Sequence, residues 1–220
     1  VAIYRKLFDA ETKGKKFILS FLGVIPCIDL YINGKFVGYS EGAHNTAEFD
    51  ITDYVKDGEN ELFAVIHKWS NATFLECQDM FRENGIFRDV LLYEMPETYF
   101  NDIYYRTKET SKGWNLDVNF DICGDAADYN VSVEIYDAKK KKKKKKCVVA
   151  DNKLNVSFKN LDVISWNAEI PTLYTAYATL YKDGNEIMTV RNYVGFKTVK
   201  IKKDIFTVNG KKIKIKGVNH

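Results

Sequence analysis

What most constrains the fold of this chain is a succession of short apolar or alternating runs, punctuated by two-residue turn signals. Period-2 alternation between Asn-Gly and Asp-Gly pairs is the mark of antiparallel strands, not of helices. "KKFILSFLGV" (15–24) reads as one strand and "CIDLYINGKFVGYS" (27–40) as a hairpin. In that hairpin Asn33-Gly34 supply the positive φ angles that a two-residue primed turn requires. "AEFDIT" and "NELFAVIHKW" follow, joined through Asp57-Gly58. Proline occurs only at 26, 96 and 171, none inside a strong strand pattern. The nearest approach to a helical period is one turn around Thr52 to Val55. The class is all-β.

A boundary falls near "YEMPETYFNDIYY" (93–105), after which the strands restart. "IYYRTKET", "WNLDVNFDI", "YNVSVEIYDA", "LNVSFKN", "LYTAYATLYKDG" and "MTVRNYVGFKTV" are short, close together and separated by turns. Six or seven such strands within about 100 residues suit an immunoglobulin-like sandwich. "WNAEIPTLY" (166–174) reads as the turn-rich link between two of them. The Cys-Trp-Cys pattern of antibody domains is missing, so only the architecture is implied. A last segment, "FTVNGKKIKIKGVNH" (206–220), makes a third start with another Asn-Gly hairpin.

The net charge of +3 misleads, because Lys139 to Lys146 are eight consecutive lysines. Setting those eight aside leaves 25 cations against 30 acids, so the rest of the chain is mildly acidic. Lysine also outnumbers arginine 28 to 5, whereas phosphate-gripping surfaces favour arginine forks. Both observations argue against a nucleic-acid partner. The lysine run itself reads as a solvated hairpin loop, since like charges repel and lysine side chains lose much entropy on ordering. Cys27, Cys77, Cys123 and Cys147 show no CxxC or Cys/His ligand spacing and read as free thiols of a reducing compartment. There is no apolar run near 18 residues, so no membrane span is expected, and no signal-peptide pattern is present in a chain that opens inside a strand pattern, "VAIYRKLF".

A search for catalytic constellations finds little. Only three histidines occur: His67 inside "AVIHKW" reads as a structural strand residue, His44 as a loop residue or a pocket-rim donor, and His220 ends the chain. No G-x-S-x-G elbow, phosphate-binding glycine loop or H-E-x-x-H motif is present. The charged stretch is "LECQDMFRENGIFRDVLL" (75–92), where Glu76, Asp79, Arg82, Glu83, Arg88 and Asp89 crowd against an apolar strand. A plain scaffold seldom does this. A sugar-binding edge often does.

That stretch and its surroundings carry a resemblance. "NGKFVGYS", "AEFDIT", "GEN-L", "W-S" followed by "LE-QDMFR", and "GIFRDV" resemble the amino-terminal jelly-roll domain of glycoside hydrolase family 2. Within that family they are most similar to the LacZ-type β-galactosidases. "WNAEIPTLYTAYATL" is similar to the family's second, immunoglobulin-like domain, and "VGFKTVKI" with "FTVNGKKIKIKGVNH" to the entry into its (β/α)₈ barrel. The implied division is a jelly-roll (galactose-binding-like) sandwich over 1–96, an immunoglobulin-like sandwich over 97–199, and the start of the catalytic barrel over 200–220.

The resemblance implies a retaining glycosidase whose two catalytic carboxylates stand about 5 Å apart. Both belong to the barrel, so no catalytic residue is expected in this chain, which reads as an excised, inactive piece of an enzyme acting on β-galactosides such as lactose. One residue carries over: Asp79, second acid of the "QD" motif, is implied to contact a galactosyl hydroxyl and a sodium ion once the barrel is present. Sodium and magnesium are expected for the parent enzyme, together with a cytoplasmic location and a homo-oligomeric state. Cys77 stands where relatives commonly carry aspartate, Phe81 where they carry tryptophan, and His220 where many carry arginine. Arg82, Arg88 and Asp89 are expected to be the ion-paired support of the Asp79 loop. The alternative reading is a free-standing carbohydrate-binding or adhesive β-sandwich module.

Overall fold

Strand alternation sorts each half of the chain into two facing sheets. The computed structural model describes residues 1–42, 45–76, 84–136, 142–148 and 152–218. It divides into two units, Val1–Glu97 and Thr98–His220. The first contains β1 (Ala2–Ala10), β2 (Lys15–Phe21), β3 (Val24–Ile25), β4 (Cys27–Ile32), β5 (Lys35–Glu41), β6 (Ala47–Asp50), β7 (Gly58–His67), β8 (Gly85–Ile86) and β9 (Val90–Pro96). These form a four-stranded sheet in the order β1-β7-β4-β5, a three-stranded sheet β6-β2-β9 and a small ladder β3-β8.

The even-numbered residues Ile28, Leu30 and Ile32 of β4 and Leu62, Ala64 and Ile66 of β7 meet Phe17, Leu19 and Phe21 of β2 in one core. Each large side chain removed from water there contributes roughly 1.5–3 kcal/mol. The odd-numbered residues of β4, Cys27, Asp29 and Tyr31, point the other way. This is the jelly-roll sandwich expected. The single strand expected over 15–24 is instead two. β2 stops at Phe21 and β3 resumes at Val24 with a different partner, because the Leu22 amide turns to donate to the Asp89 carbonyl at 3.0 Å.

The second unit holds β10 (Tyr99–Thr110), β11 (Gly113–Cys123), β12 (Tyr129–Tyr136), β13 (Lys142–Val148), β14 (Lys153–Leu161), β15 (Tyr174–Lys182) and β16 (Asn185–Val194). They make a three-stranded sheet β10-β11-β14 and a four-stranded sheet β13-β12-β15-β16. Leu116, Val118 and Phe120 of β11 pack with Val131 and Val133 of β12 and Ala176, Ala178 and Leu180 of β15. Trp114, Tyr174 and Phe196 close the same core, with Phe196 edge-on to both other rings at 5.9 and 5.2 Å. Seven strands in two sheets give the immunoglobulin-like sandwich. β17 (Val199–Lys202), β18 (Ile205–Val208) and β19 (Lys211–Lys212) follow as a small meander. Its Asn209-Gly210 turn is tied to the sandwich by Asn209 Nδ2, which donates to the Trp166 carbonyl at 2.8 Å.

Part of the lysine run requires a correction, while Lys139 to Lys141 lie outside the described residues. Lys142 to Lys146 do not form a loop; they lie in β13, paired in register with Tyr136 to Ser132 of β12. Charge repulsion is outweighed by a partner strand offering a full ladder, and an edge strand leaves lysine ends free to reach water. No helix among the described residues is long and apolar enough to cross a membrane.

Candidate functional site

The segments on either side of the charged stretch singled out in the sequence are both fastened to the first sandwich. On the entering side the chain leaves β7 through Lys68 and Trp69 into a 3₁₀ turn over Asn71–Phe74. Thr73 pins that turn: its hydroxyl accepts from the Ser70 amide at 2.9 Å, while its own amide donates to the Ser70 carbonyl at 3.2 Å. A Ser/Thr pair at this spacing gives the first amides partners that a bare loop lacks. On the returning side β8 pairs with β3, Ile86 opposite Val24 and Gly85 opposite Ile25. The Phe87 amide then donates to the Gly23 carbonyl at 3.2 Å before the chain enters β9.

Two glycines let these segments approach so closely. At Gly85, φ is +129° and a Cβ would lie 2.9 Å from the Tyr4 hydroxyl oxygen. Gly42, with φ +125°, turns its backbone toward the same loop, and Glu76 Oε1 lies 3.8 Å from where its Cβ would be. Only glycine takes such angles without strain.

The rim carries exposed apolar side chains beside the charges. Phe74 and Leu75 are 78% and 81% exposed, and Trp69 and Phe87 are about half exposed. The sequence reading passed over these four. For Trp69, Phe74 and Leu75 the signal was large apolar residues set among Ser70, Asn71 and Glu76, where solvation alone would select polar residues. Arg88 was expected to be ion-paired. Among the described residues its guanidinium instead sits 5.1 Å from the centre of the Phe87 ring and reaches the Leu22 carbonyl at 3.5 Å. Asp89 contributes its backbone carbonyl to the Leu22 amide. Asp79, Cys77, Phe81 and Arg82 lie outside the described residues, as do His44 and His220.

Beneath this end, the outward face of the larger sheet brings Cys27 beside Glu41 and His67, and Asp29 beside Tyr39. His67 lies on β7, in a strand as the sequence implied, and its Nε2 is 2.7 Å from Asp29 Oδ2. Tyr39 donates to Glu41 Oε2 at 2.8 Å, and the Cys27 thiol points to the Trp69 carbonyl at 3.9 Å. Desolvation raises the Cys27 thiol above its ordinary value, and desolvation together with the bond to Glu41 raises the Tyr39 phenol. Both groups therefore stay protonated at neutral pH and act as donors. Cys27, Cys123 and Cys147 are free thiols, as the spacing implied.

Among the described residues no group of three His, Cys, Asp or Glu side chains is gathered to hold a metal. What the site offers is a binding surface: aromatic faces for an apolar ring face, with carboxylate and carbonyl acceptors for hydroxyls.

Comparison with known proteins bears on what such a surface serves. Residues 2–96 match the model for the sugar binding domain of glycosyl hydrolases family 2, and residues 98–197 match a second model of glycosyl hydrolases family 2. A β-galactosidase of Streptococcus thermophilus is 36% identical over 224 residues, covering 100% of this chain and 22% of that protein. A β-galactosidase of Clostridium acetobutylicum is 38% identical over 227 residues, covering 100% of this chain and 25% of that protein. The chain thus spans about a quarter or less of the length of these relatives. Among solved structures, a Parabacteroides merdae β-glucuronidase superposes with a TM-score of 0.80 at 23% identity, covering 98% of this chain and 30% of its own. A putative β-galactosidase from Bacteroides fragilis gives 0.78 at 23% identity, covering 96% of this chain and 35% of its own. At that identity these two establish the fold alone.

Proposed function

Because the chain belongs to glycosyl hydrolase family 2, we propose that it is the non-catalytic amino-terminal part of a retaining β-galactosidase, whose substrates are terminal β-D-galactosides such as lactose. The observation that carries this reading is the fastened loop of the first sandwich. Its base is held by β3-β8 and the Thr73 turn, and its rim presents aromatic rings beside acids. A loop anchored at both feet can hold a side chain in place for a ligand at little entropic cost on binding. Asp79, at the crest of the sequence between Glu76 and Asn84, is the residue proposed to accept a hydrogen bond from a galactosyl hydroxyl. A carboxylate is also a suitable hard ligand for the proposed sodium ion, which would add positive charge near the sugar. The residues of this chain bind and orient. The acid/base and nucleophilic carboxylates are assigned to a barrel that this chain does not supply.

The free-standing module reading is not favoured, since the β-galactosidase relatives match along the whole chain. The test is a chimera in which this chain replaces the matching segment of the Clostridium acetobutylicum β-galactosidase. Lactose hydrolysis by the chimera, with none by the isolated 220-residue chain, is the expected result. Turnover by the isolated chain would overturn the assignment of chemistry to the barrel.

A further inference from the structure

The lysine strand has a geometry that its role as scaffold does not use. Cys147 packs partly buried against the core of the second unit and stands opposite Val131. By alternation Lys145 and Lys143, opposite buried Val133 and Ile135, project on the same core-facing side. Lys144 and Lys146 project outward, and both are engaged: Lys144 Nζ is 2.7 Å from Glu134 Oε1, and Lys146 Nζ lies 5.4 Å from the centre of the Tyr181 ring. The inward pair opens into a groove of about 450 Å³ lined by Lys143, Lys144, Lys145, Phe158, Lys159 and Leu161. That lining holds four lysines and no carboxylate, with the Lys144 ammonium itself turned to Glu134. β13 is moreover an edge strand of its sheet, so one row of its backbone N–H and C=O groups faces away from β12.

We propose that β13 is a docking edge for an extended acidic peptide segment. The segment adds as a further strand and sets aspartate or glutamate side chains, at alternate positions, against Lys143, Lys145 and Lys159. Two observations coincide to favour a peptide over other polyanions. The free row of backbone groups asks for a partner backbone, and the cations facing the groove repeat with the period of a strand. A polyphosphate chain meets the second requirement and cannot meet the first. The same lysines exclude a second copy of this chain, because like charges directly opposite in a ladder repel, whereas an acidic strand turns that repulsion into attraction.

Fluorescence anisotropy on the 220-residue chain tests this with three probes: a labelled peptide alternating Glu and Val, a peptide of equal charge interrupted by prolines, and inorganic polyphosphate. The alternating peptide should bind saturably, weaken as salt rises, and protect β13 amides in hydrogen exchange. Lys143→Glu combined with Lys145→Glu should weaken it by about tenfold or more, consistent with loss and reversal of two cross-strand charge pairs. If circular dichroism shows that this double variant is unfolded, Lys145→Gln replaces it, with a loss of about threefold. Polyphosphate binding as tightly without protecting β13 would overturn the peptide assignment in favour of a general polyanion groove. No saturable binding of the alternating peptide would leave the lysines as a guard against edge pairing and overturn the proposal.

Discussion

The ring of Phe87 occupies the space that a side chain at Gly23 would need: a Cβ there would fall 2.6 Å from Phe87 Cζ and 3.0 Å from Arg88 Cδ. Gly23 therefore seats the chain that returns from the charged stretch, and Arg88 stacks on the ring it seats. Gly23→Ala should push the Phe87 ring aside and, because that ring is a half-exposed side chain able to swing away, cost under about 1 kcal/mol. Urea denaturation of the isolated chain measures that loss. In the chimera the same variant should raise KM for lactose.

The stability of the first unit should fall in alkaline solution. Burial holds the folded Cys27 thiol above its ordinary value of 9.0, and Tyr39 is likewise raised above 10.0. A group raised on folding favours the folded state while it is protonated in both states. That stability is complete below the unfolded pKa and is lost as pH rises through the folded one. Thermal melts should therefore be flat from pH 7 to 8 and decline above about pH 9, where unfolded thiols begin to ionise. Cys27→Ala should shallow the decline. An unchanged slope in that variant would assign the effect elsewhere.

The edge strand makes two contrasting expectations. Lys144→Ala removes a partly exposed pair with Glu134 and should cost under about 1 kcal/mol. Replacing Lys142 to Val148 by a short turn removes the whole ladder on β12 and uncovers the edge beside Val131, Val133 and Ile135. That change should cost several times more, about 3 kcal/mol or above by analogy with large core truncations. Equal, small effects in chemical denaturation would mean that β13 adds nothing to the sandwich.

These elements also show how far the chain could be read without its structure. The hairpin turns Asn33-Gly34, Asp183-Gly184 and Asn209-Gly210 all have paired positive φ angles, which these residue types announce. Lys203-Asp204 makes the same kind of turn, with φ of 47° and 62°, and carries no glycine to signal it. β13 was illegible for a different reason: lysine has no strand preference of its own, and the ladder offered by β12 decides its conformation. At the loop end, acids and arginines were expected to form a functional surface, and Asp79, Arg82 and Glu83 lie outside the described residues. For Arg88, sequence spacing could not show that Phe87 would fold over Gly23 and lie beneath its guanidinium, while Asp79 and Glu83, acids of the same stretch, lie outside the described residues.

The most consequential expectation concerns Asp79 in the chimeric enzyme. If its carboxylate accepts from a galactosyl hydroxyl, Asp79→Ala should lower kcat/KM for lactose by at least about 100-fold, or roughly 2.7 kcal/mol. A site built around a hydroxyl loses the hydrogen bond and leaves the sugar group unpaired in a desolvated pocket, so the penalty exceeds that of one surface contact. Folding should change little, because the segments flanking the stretch are fastened by Thr73, β3 and β8. Asp79→Asn separates charge from shape: it keeps an acceptor oxygen and should recover part of the hydrogen bond while weakening any dependence on sodium. Wild-type kinetics in Asp79→Ala, with normal expression and an unchanged melt, would remove Asp79 from the galactose site and leave the aromatic rim of Trp69, Phe74 and Phe87 as the surface this loop contributes.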